Sequence, residues 1–290
     1  MSDVLVTLDT PPPLALKRRW GLPPLLILGA FFVAAVCLVM AIFGHVIAPK
    51  NPSTQDLANQ LAGPSSAHPL GTDSLGRDVL SRVIVGARTA LIGPLVIAFG
   101  SVLVGNLLGL YAGYRARFAD AFIMRWVDFM WSLPALLVII VVAGTLNGGY
   151  WSAVGLLLLL SIPYDARITR AATIEQMQRP YVEAARTLGL SDRRVMFLHV
   201  WPNVSGITIP NAFLDFAGAL VALSTLSVLG LGSPPGTPDW GLMVAEGQQL
   251  LFTNPVGVLA PCVMIVLAAM AMNLIGDWLH ERLASRGATR

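Results

Sequence analysis

The residues best suited to metal binding or nucleophilic chemistry are few and far apart in this sequence. The two cysteines, Cys37 and Cys262, each lie in a long apolar run, which favours a packing role over a disulfide or a redox pair. The four histidines show none of the spacings typical of metal ligands: His45, His68, His199 and His280. The pattern predicts a chain that holds no metal and no cofactor of its own.

Motifs for nucleotide hydrolysis and for covalent catalysis are also missing from the sequence. There is no Gly-x-x-x-x-Gly-Lys-Ser/Thr loop that could cradle phosphates and no His-Glu-x-x-His motif. No Ser/His/Asp or Cys/His constellation is evident either. We therefore predict that the chain is not an enzyme. If ATP drives its activity, a separate subunit must hydrolyse that ATP.

Acidic residues in apolar surroundings are the remaining candidates for chemistry, because a carboxylate inside a membrane is costly and usually functional. Four of them fall at or near the ends of apolar segments: Asp128, Asp165, Asp215 and Asp277. The other interpretation is that water solvates them at helix ends or that nearby arginines pair with them. We favour this second interpretation, with Arg125, Arg167 and Arg170 as the partners.

The composition indicates that these residues belong to a membrane protein. Of 290 residues, 55% are apolar and only 12% are charged, and the mean hydropathy is +0.70. Soluble domains carry about 25% charged residues, so much of this surface must face lipid. The net charge of +3 is not gathered into one patch, which argues against nucleic acid as a partner.

Six apolar segments are long enough to cross a bilayer, which takes about 20 residues of helix. Helices are expected because backbone groups in lipid must be satisfied within the segment. The predicted spans are Leu22–Ala48, Val83–Tyr111, Ala121–Gly144, Trp151–Ile168, Ile207–Leu231 and Val256–Leu279. The first is too long for the 7–15-residue core of a signal peptide, so we expect it to be retained. In the fourth, Pro163, Tyr164 and Asp165 are expected to interrupt the C-terminal end.

Lysine and arginine placement predicts that both termini are cytoplasmic. With the N-terminus inside, the inner segments hold 15 of the 19 basic residues, and the outer segments hold Lys50, Arg77, Arg82 and Arg88. The predicted organisation is a cytoplasmic tail over 1–21, a first helix over 22–48, an extracytoplasmic segment over 49–82, a five-helix core over 83–279 with an inner loop over 169–206, and a cytoplasmic tail over 280–290.

The outer segment contains two acid–base spacings that suit a helix. Asp73 precedes Arg77 by four residues and Asp78 precedes Arg82 by four, which is the favourable order for helical ion pairs. The spacing predicts a short amphipathic helix on the outer membrane surface. Its apolar face would consist of Leu75, Val79, Leu80 and Val83. Gly76 argues against a rigid helix.

The inner loop over 169–206 is predicted to contain a short helix that begins at Pro180, which suits the first helical position. Glu183 falls in its first turn and Arg186 near its last, both favourable to the helix dipole. Gly189 follows where a left-handed residue usually ends a helix. A loop of about 38 residues with such signals is typical of a functional loop.

A second short helix is expected to follow in the same loop. Ser191 can cap its start. Its apolar positions, Val195 and Leu198, lead to Trp201–Pro202, where the proline is expected to end the helix.

The loop sequence YVEAARTLGLSDRRVMFLHVWPN resembles the EAA loop of the membrane subunits of ATP-binding-cassette importers. That pattern has Glu-Ala-Ala, three residues, glycine, and a longer gap to a proline, and the matching residues here are Glu183, Ala184, Ala185, Gly189 and Pro202. The resemblance implies that this loop forms a coupling helix that sits in a groove of the ATPase subunit. The implied docking residues are Tyr181, Glu183, Ala184, Ala185, Arg186, Gly189 and Leu190.

Three further segments narrow the resemblance to the dipeptide, oligopeptide and nickel group of these importers: HPLGTDSLGRDVLSR from His68, LGLGSPPGTPDWG from Leu229, and NLIGDWLHERL from Asn273. The outer-segment motif residues are Gly71, Thr72, Asp73, Gly76, Arg77 and Asp78. The resemblance implies an all-α, six-helix permease of the type I importer architecture with a cytoplasmic coupling loop. It also implies a location in the bacterial cytoplasmic membrane.

The implied function is that of a channel-forming subunit that imports dipeptides or oligopeptides by alternating access. The implied partners are a second homologous permease subunit, two ATPase subunits or one fused ATPase, an extracytoplasmic substrate-binding protein, and the bilayer. ATP and Mg are expected on the ATPase subunits. Nickel chelates, glutathione or another small solute are alternative substrates for the same machinery.

Three other functions are alternatives to this hypothesis. A stand-alone secondary transporter would favour acids deep in mid-span and paired half-helix breaks, whereas the acids here are predicted near span ends. A membrane-embedded enzyme would need a nucleophile and a base that face each other, and a purely structural anchor would not need the structured inner loop.

Overall fold

The computed structural model describes residues 23–146, 149–252 and 254–287, and this part of the chain is helical. The predicted tail over 1–21 lies outside the described residues. The α-helices are α1 Pro24–Ile47, α2 Val79–Arg115, α3 Arg117–Ser132, α4 Ala135–Leu146, α5 Gly149–Met177, α6 Pro180–Thr187, α7 Asp192–Arg194, α8 Trp201–Val228, α9 Trp240–Glu246 and α10 Pro255–Gly287. A π-helical turn, Val195–Val200, joins α7 to α8.

Five helical stretches are long and apolar enough to cross a membrane: Pro24–Ile47, Val79–Arg115, Gly149–Met177, Asp192–Val228 and Pro255–Leu283. They coincide with the first, second, fourth, fifth and sixth predicted spans. An all-α integral membrane protein is thereby confirmed in outline.

The third predicted span, Ala121–Gly144, is divided into the shorter helices α3 and α4. The break falls at Leu133, whose backbone is extended, with φ −90° and ψ 129°. Pro134 explains the break, because a proline disfavours helical backbone at the residue before it and has no N–H to donate.

Helices α2 and α5 form the closest helix pair in the fold, and a stripe of glycines on α2 makes this possible. A Cβ built on Gly105 would lie 3.0 Å from the backbone nitrogen of Ala166. One on Gly109 would lie 2.9 Å from the nitrogen of Arg170, and one on Gly113 would lie 2.7 Å from the Cβ of Thr173. Small residues at every fourth position are what lets membrane helices approach so closely.

The two helices of this pair run parallel. Gly93, early in α2, donates its N–H to the hydroxyl of Tyr150 at 2.9 Å, near the start of α5. Gly113, near the end of α2, lies beside Thr173, near the end of α5. The chain must therefore return from one end of the pair to the other between Arg115 and Gly149, and α3 and α4 make that return.

The outer segment before α2 is irregular, so the predicted amphipathic helix is wrong. Within the described residues of this segment, the only short helix is a 3-10 turn at Leu57–Asn59. The carboxylate of Asp73 accepts hydrogen bonds from the backbone N–H groups of Leu75 and Arg77, each at 2.9 Å, and this local turn competes with helix. Gly76 has φ +72° and lies so close to the backbone of Asp56 that a side chain would not fit.

Two prolines that were expected to interrupt helices lie inside continuous ones. Helix α5 passes through Pro163 and ends at Met177. Helix α7, the π-helical turn and α8 follow one another without a break past Pro202. The π-helical turn ends at Val200, so Pro202 lies in the first turn of α8, where a proline is tolerated. The irregular part of the inner loop is shorter than predicted as a result.

Candidate coupling surface and outer charge network

Helix α6, predicted in the inner loop, is present at Pro180–Thr187 and packs against the rest of the protein along one face. Val182 and Ala185 are buried in a cluster with the apolar ends of neighbouring helices: Leu110 and Tyr114 from α2, Ala172 from α5, Val195 and Val200 from the π-helical turn, and Val204 from α8. Helix α6 therefore shares one apolar cluster with the ends of α2, α5 and α8.

The opposite face of α6 is exposed. It carries Glu183 and Ala184, and the exposed strip continues through Leu188 to Gly189. Arg186 is also exposed, but its guanidinium lies over the Tyr114 ring of α2 at 5.4 Å. Leu188 is 81% exposed although it is apolar. Gly189 adopts φ +77° and donates its N–H to the carbonyl of Arg186 at 2.9 Å, which ends the helix in the way its position predicts. We call Glu183, Ala184, Arg186, Leu188 and Gly189 the coupling surface.

Polar contacts hold α6 in place on both sides. The hydroxyl of Tyr181 donates to the Gln176 side chain at 2.9 Å, and Asn203 of α8 donates to that same hydroxyl at 3.3 Å. Burial raises the pKa of the Tyr181 phenol, so it stays protonated and able to donate. The hydroxyl of Tyr114 donates to Asp192 at 2.9 Å. These bonds tie the inner loop to the ends of α2, α5 and α8.

The predicted docking residues of this loop are distributed over both faces of α6. Glu183, Ala184, Arg186 and Gly189 are exposed, whereas Tyr181 and Leu190 are half-buried and Ala185 is buried. Ala185 therefore packs inside the chain. Leu188 was missed, although an apolar residue just before a helix-ending glycine is a usable signal. The docking role of these residues stays a prediction.

At the other end of α2, two buried arginines share two acids. Arg77 pairs with Asp73 at 2.6 Å and with Glu246 at 2.8 Å. Arg82 pairs with Glu246 at 2.9 Å and lies 3.6 Å from Asp73. Both arginines also point at the carbonyl of Gly236, and Gly236 donates its N–H to Glu246 at 3.1 Å. We call these five residues the outer charge network.

The outer charge network joins segments that are far apart in sequence. Asp73 and the two arginines belong to the outer segment and the start of α2, Gly236 to the connection after α8, and Glu246 to α9. Nearby, the buried indole of Trp240 donates to the carbonyl of Val83 at 2.8 Å. Burial raises the pKa of Asp239, which caps α9 by accepting from the N–H of Leu242 at 2.9 Å.

Some residues of the predicted outer-segment motif belong to this network, and the others form the turn that precedes α2. Asp73 and Arg77 are members of the network. Asp78 caps α2 by accepting from the backbone of Ser81 at 2.9 Å, and Thr72 bonds the backbone of Asn59 and Ala62. Gly71 and Gly76 both have positive φ in the turn. Glu246 was missed, because no local spacing connects it to this segment.

The four acids singled out in the sequence have different surroundings. Asp128 pairs with Arg167 at 2.7 Å, as expected. Asp165 is only 2% exposed and Asp215 is half-buried. Asp165 lies in the middle of α5 and Asp215 in the middle of α8, so neither is at a helix end. The reason is that α5 continues beyond the predicted end at Ile168, and α8 begins before the predicted start at Ile207.

Residues 105–287 match the family described as the binding-protein-dependent transport system inner membrane component. The di/tripeptide transport system permease protein of Pseudomonas aeruginosa is 37% identical over 262 residues, which cover 88% of this chain and 86% of that one. The dipeptide transport system permease protein of Alkalihalophilus pseudofirmus is 32% identical, with coverages of 89% and 85%.

Another relative is named for a different substrate. The glutathione transport system permease protein of Pectobacterium atrosepticum is 35% identical over 76% of this chain and 73% of that one. Among solved structures, an amino acid ABC transporter with histidines shares 21% identity and a TM-score of 0.49, over 71% of this chain and 94% of that one. The family assignment rests on the sequence matches. The chain belongs to the binding-protein-dependent transport system inner membrane components, the integral membrane permease subunits of ABC importers.

Proposed function

We propose that this chain forms half of the channel of an ATP-driven importer that carries di- and tripeptides across the inner membrane. Two relatives that are 37% and 32% identical to this chain over most of their length are named for peptide transport. Their names support peptide as the substrate. Glutathione is the second candidate substrate, because a relative at 35% identity is named for it. Glutathione is itself a small peptide, so both candidates agree on the substrate class.

The chain would work with four kinds of partner. A second permease subunit completes the channel, and an extracytoplasmic binding protein delivers the substrate. Two ATPase subunits, or one fused ATPase, bind ATP and Mg on the cytoplasmic side. The observation that carries this proposal is α6, which is anchored by Val182 and Ala185 and leaves Glu183 and Leu188 exposed for the ATPase.

The proposed topology has six crossings and both termini in the cytoplasm. Helices α3 and α4 together supply the third crossing, because α2 and α5 run parallel and the chain must return between them. Their 28 helical residues are about 42 Å long at 1.5 Å per residue, which exceeds the hydrocarbon thickness of about 30 Å. The outer charge network then lies on the side of the binding protein.

The proposed mechanism is alternating access driven through α6. Closing of the ATPase pair moves α6, and α2, α5 and α8 move with it because α6 is packed on all three. Reversing a population from 1:99 to 99:1 takes about 5.5 kcal/mol of differential binding. A helix that is packed and hydrogen-bonded on one whole face can transmit such an energy, whereas a loose loop cannot.

A secondary transporter is the main rival, because Asp165 and Asp215 lie within long apolar helices and such transporters use acids in their spans. The deciding experiment is affinity purification of the chain from native membranes in mild detergent, followed by dipeptide uptake in proteoliposomes. We expect co-purification of an ATPase and a second permease, and uptake that requires ATP and the binding protein. A chain that purifies alone and takes up peptide with a proton gradient would contradict the proposal.

A further inference from the structure

A cavity of about 360 Å³ lies between α3, α5 and α8. Its lining includes Trp131 from α3, Ser161 and Tyr164 from α5, and Leu214 and Asp215 from α8. Among the described residues that line it, Asp215 is the charged one. Pockets that bind small molecules measure about 300–1,000 Å³, so this cavity is large enough for a small ligand.

A second carboxyl group lies behind Asp215, next to the cavity. The side-chain amide of Asn211 donates to Asp165 at 3.0 Å and to Asp215 at 3.3 Å, so one donor group serves two acids. Asp165 is 2% exposed, and its second carboxyl oxygen has no hydrogen-bond partner among the described residues. The two carboxyl groups and the Ser101 side chain lie close together, so this site holds more acceptors than donors.

The two arginines that follow Asp165 on α5 do not supply further donors to the acid pair. Arg167 pairs with Asp128 at 2.7 Å, and Arg170 pairs with Asp120. No ion pair within the described ranges includes Asp165 or Asp215. Buried carboxyl groups are costly unless a cation or several donors accompany them.

The position of this acid pair indicates which way the cavity faces. Asp215 lies within α8, in the long apolar stretch Asp192–Val228, and an acid in a membrane-spanning helix almost always faces a bundle interior or a hydrated cavity rather than lipid. Trp131 and Tyr164, which border the cavity, are 51% and 43% exposed on the surface of this isolated chain. In the assembled importer this surface must face the substrate path or the second permease subunit.

We propose that this cavity is a substrate subsite in which Asp215, with Asp165 behind it, binds the N-terminal ammonium group of a peptide in transit. The proposal rests on the proposed function and adds the contact that recognises the substrate class. An ammonium group brings three donors and one positive charge, which is what the acid pair lacks. Tyr164 and Trp131, stacked with ring centroids 6.5 Å apart, offer an apolar wall to the peptide side chains.

A one-point contact of this kind suits transport. None of the described lining residues is basic, and the Arg167 guanidinium, which lies over the Trp131 ring at 4.4 Å, is already paired with Asp128. A site on a translocation path must bind well enough to admit the substrate and weakly enough to release it. Recognition of the ammonium group alone also tolerates different side chains.

The test uses the complete transporter with its binding protein in proteoliposomes, and the variants Asp215→Asn and Asp215→Glu. Asp277→Asn, which changes an exposed acid on α10, is the matched control. We expect Asp215→Asn to lower dipeptide uptake about tenfold or more, since a hydrogen bond to a charged group contributes about 1.5–3 kcal/mol. Asp215→Glu should recover much of the uptake, and Asp277→Asn should resemble the unmodified protein.

A second measurement separates substrate contact from a structural role. A dipeptide with a free amino group and a benzophenone side chain is delivered by the binding protein and crosslinked during turnover. We expect adducts on residues of α5 and α8 around the cavity, and at least tenfold fewer in Asp215→Asn at equal loading of the binding protein. Unchanged uptake or unchanged adducts in Asp215→Asn would overturn the proposal.

Two other outcomes are also decisive. If Asp215→Asn loses the second permease subunit on purification, the acid pairs with a cation of that subunit and the subsite proposal fails. If the unmodified complex transports no peptide at all, the proposed function itself fails. Peptide uptake by the unmodified complex with equal uptake by Asp215→Asn would refute the subsite alone.

Discussion

Arg82 and Glu246 form an ion pair at 2.9 Å in which the arginine side chain is only 1% exposed. Arg77 binds the same carboxylate oxygen at 2.8 Å. One glutamate from α9 therefore pairs with two buried arginines at this end of α2, and Asp73 supplies the second negative charge. Such an arrangement is sensitive to the loss of the shared acid, because removal leaves two charges with a single remaining carboxylate, that of Asp73.

Glu246→Ala is expected to lower the free energy of unfolding by about 3 kcal/mol, the lower end of the cost of breaking a buried ion pair. The midpoint of thermal unfolding in detergent measures this. Glu175→Ala is the matched control, because Glu175 forms an exposed pair with Arg179 at 2.8 Å. An exposed pair contributes about 0–1 kcal/mol, so equal effects of the two variants would contradict the structure.

Gly109→Ala is expected to destabilise the fold by about 1–3 kcal/mol, the usual cost of overpacking. The added methyl group would press on the backbone of α5 at Ala166 and Arg170. Gly155→Ala is the control, since a Cβ there has no neighbour within 4 Å. That variant should be neutral or slightly stabilising, because alanine favours helix more than glycine does. Thermal unfolding of both variants in one detergent decides the matter.

Leu188→Asp is expected to reduce co-purification of the ATPase about tenfold without changing the thermal stability of the permease. Leu188 is 81% exposed, so its apolar surface is available to a partner and contributes little to the fold. Leu57→Asp, at a position in the outer segment that is 65% exposed, is the control. Normal ATPase recovery with Leu188→Asp would remove that residue from the docking interface.

Glu183→Lys is expected to leave membrane insertion intact and to abolish uptake. The residue is exposed on α6, and reversing its charge changes the surface offered to the ATPase but not the packing of Val182 and Ala185. ATP-dependent dipeptide uptake in proteoliposomes measures this. Glu281→Lys, on the exposed inner end of α10, is the control and should retain uptake. Normal uptake by Glu183→Lys would count against the coupling role.

Phe252→Cys should react with a membrane-impermeant maleimide in intact spheroplasts, whereas Phe118→Cys should react only after lysis. Both side chains are almost fully exposed, at 97% and 92%, so accessibility within the protein does not limit either reaction. In the proposed topology the first lies outside and the second inside. The two native thiols, Cys37 and Cys262, are replaced by alanine in both variants. The opposite labelling pattern would invert the topology.

The five long apolar helices and α6 follow from local signals, which is why the sequence predicts them well. Hydropathy places α1, α2, α5, α8 and α10 because lipid contact requires long apolar runs. Pro180 begins α6 because its ring restricts the backbone at that position. Gly189 ends the helix because glycine adopts a positive φ freely. Such signals act within a few residues and need no knowledge of the rest of the fold.

The parts that sequence reasoning missed depend on contacts between distant segments. Glu246 cannot be paired with Arg82 from spacing, because only the packing of α9 against α2 brings them together. Asp165 lies deep because its helix continues past Pro163 and past the predicted end of the span. The glycine stripe at Gly105, Gly109 and Gly113 is a partial exception, because its spacing of four is visible in the sequence.

The outer charge network receives its last member late in the synthesis of the protein. Glu246 follows Arg82 by 164 residues. At about 5–20 residues per second, the ribosome adds the acid roughly 8–33 s after the arginine. Until then both arginines lack their shared acid, and the outer end of α2 has to stay hydrated. The buried form of this surface can exist only in a chain that has been translated through α9, so a product truncated before Glu246 leaves both arginines with Asp73 as their acid in this network.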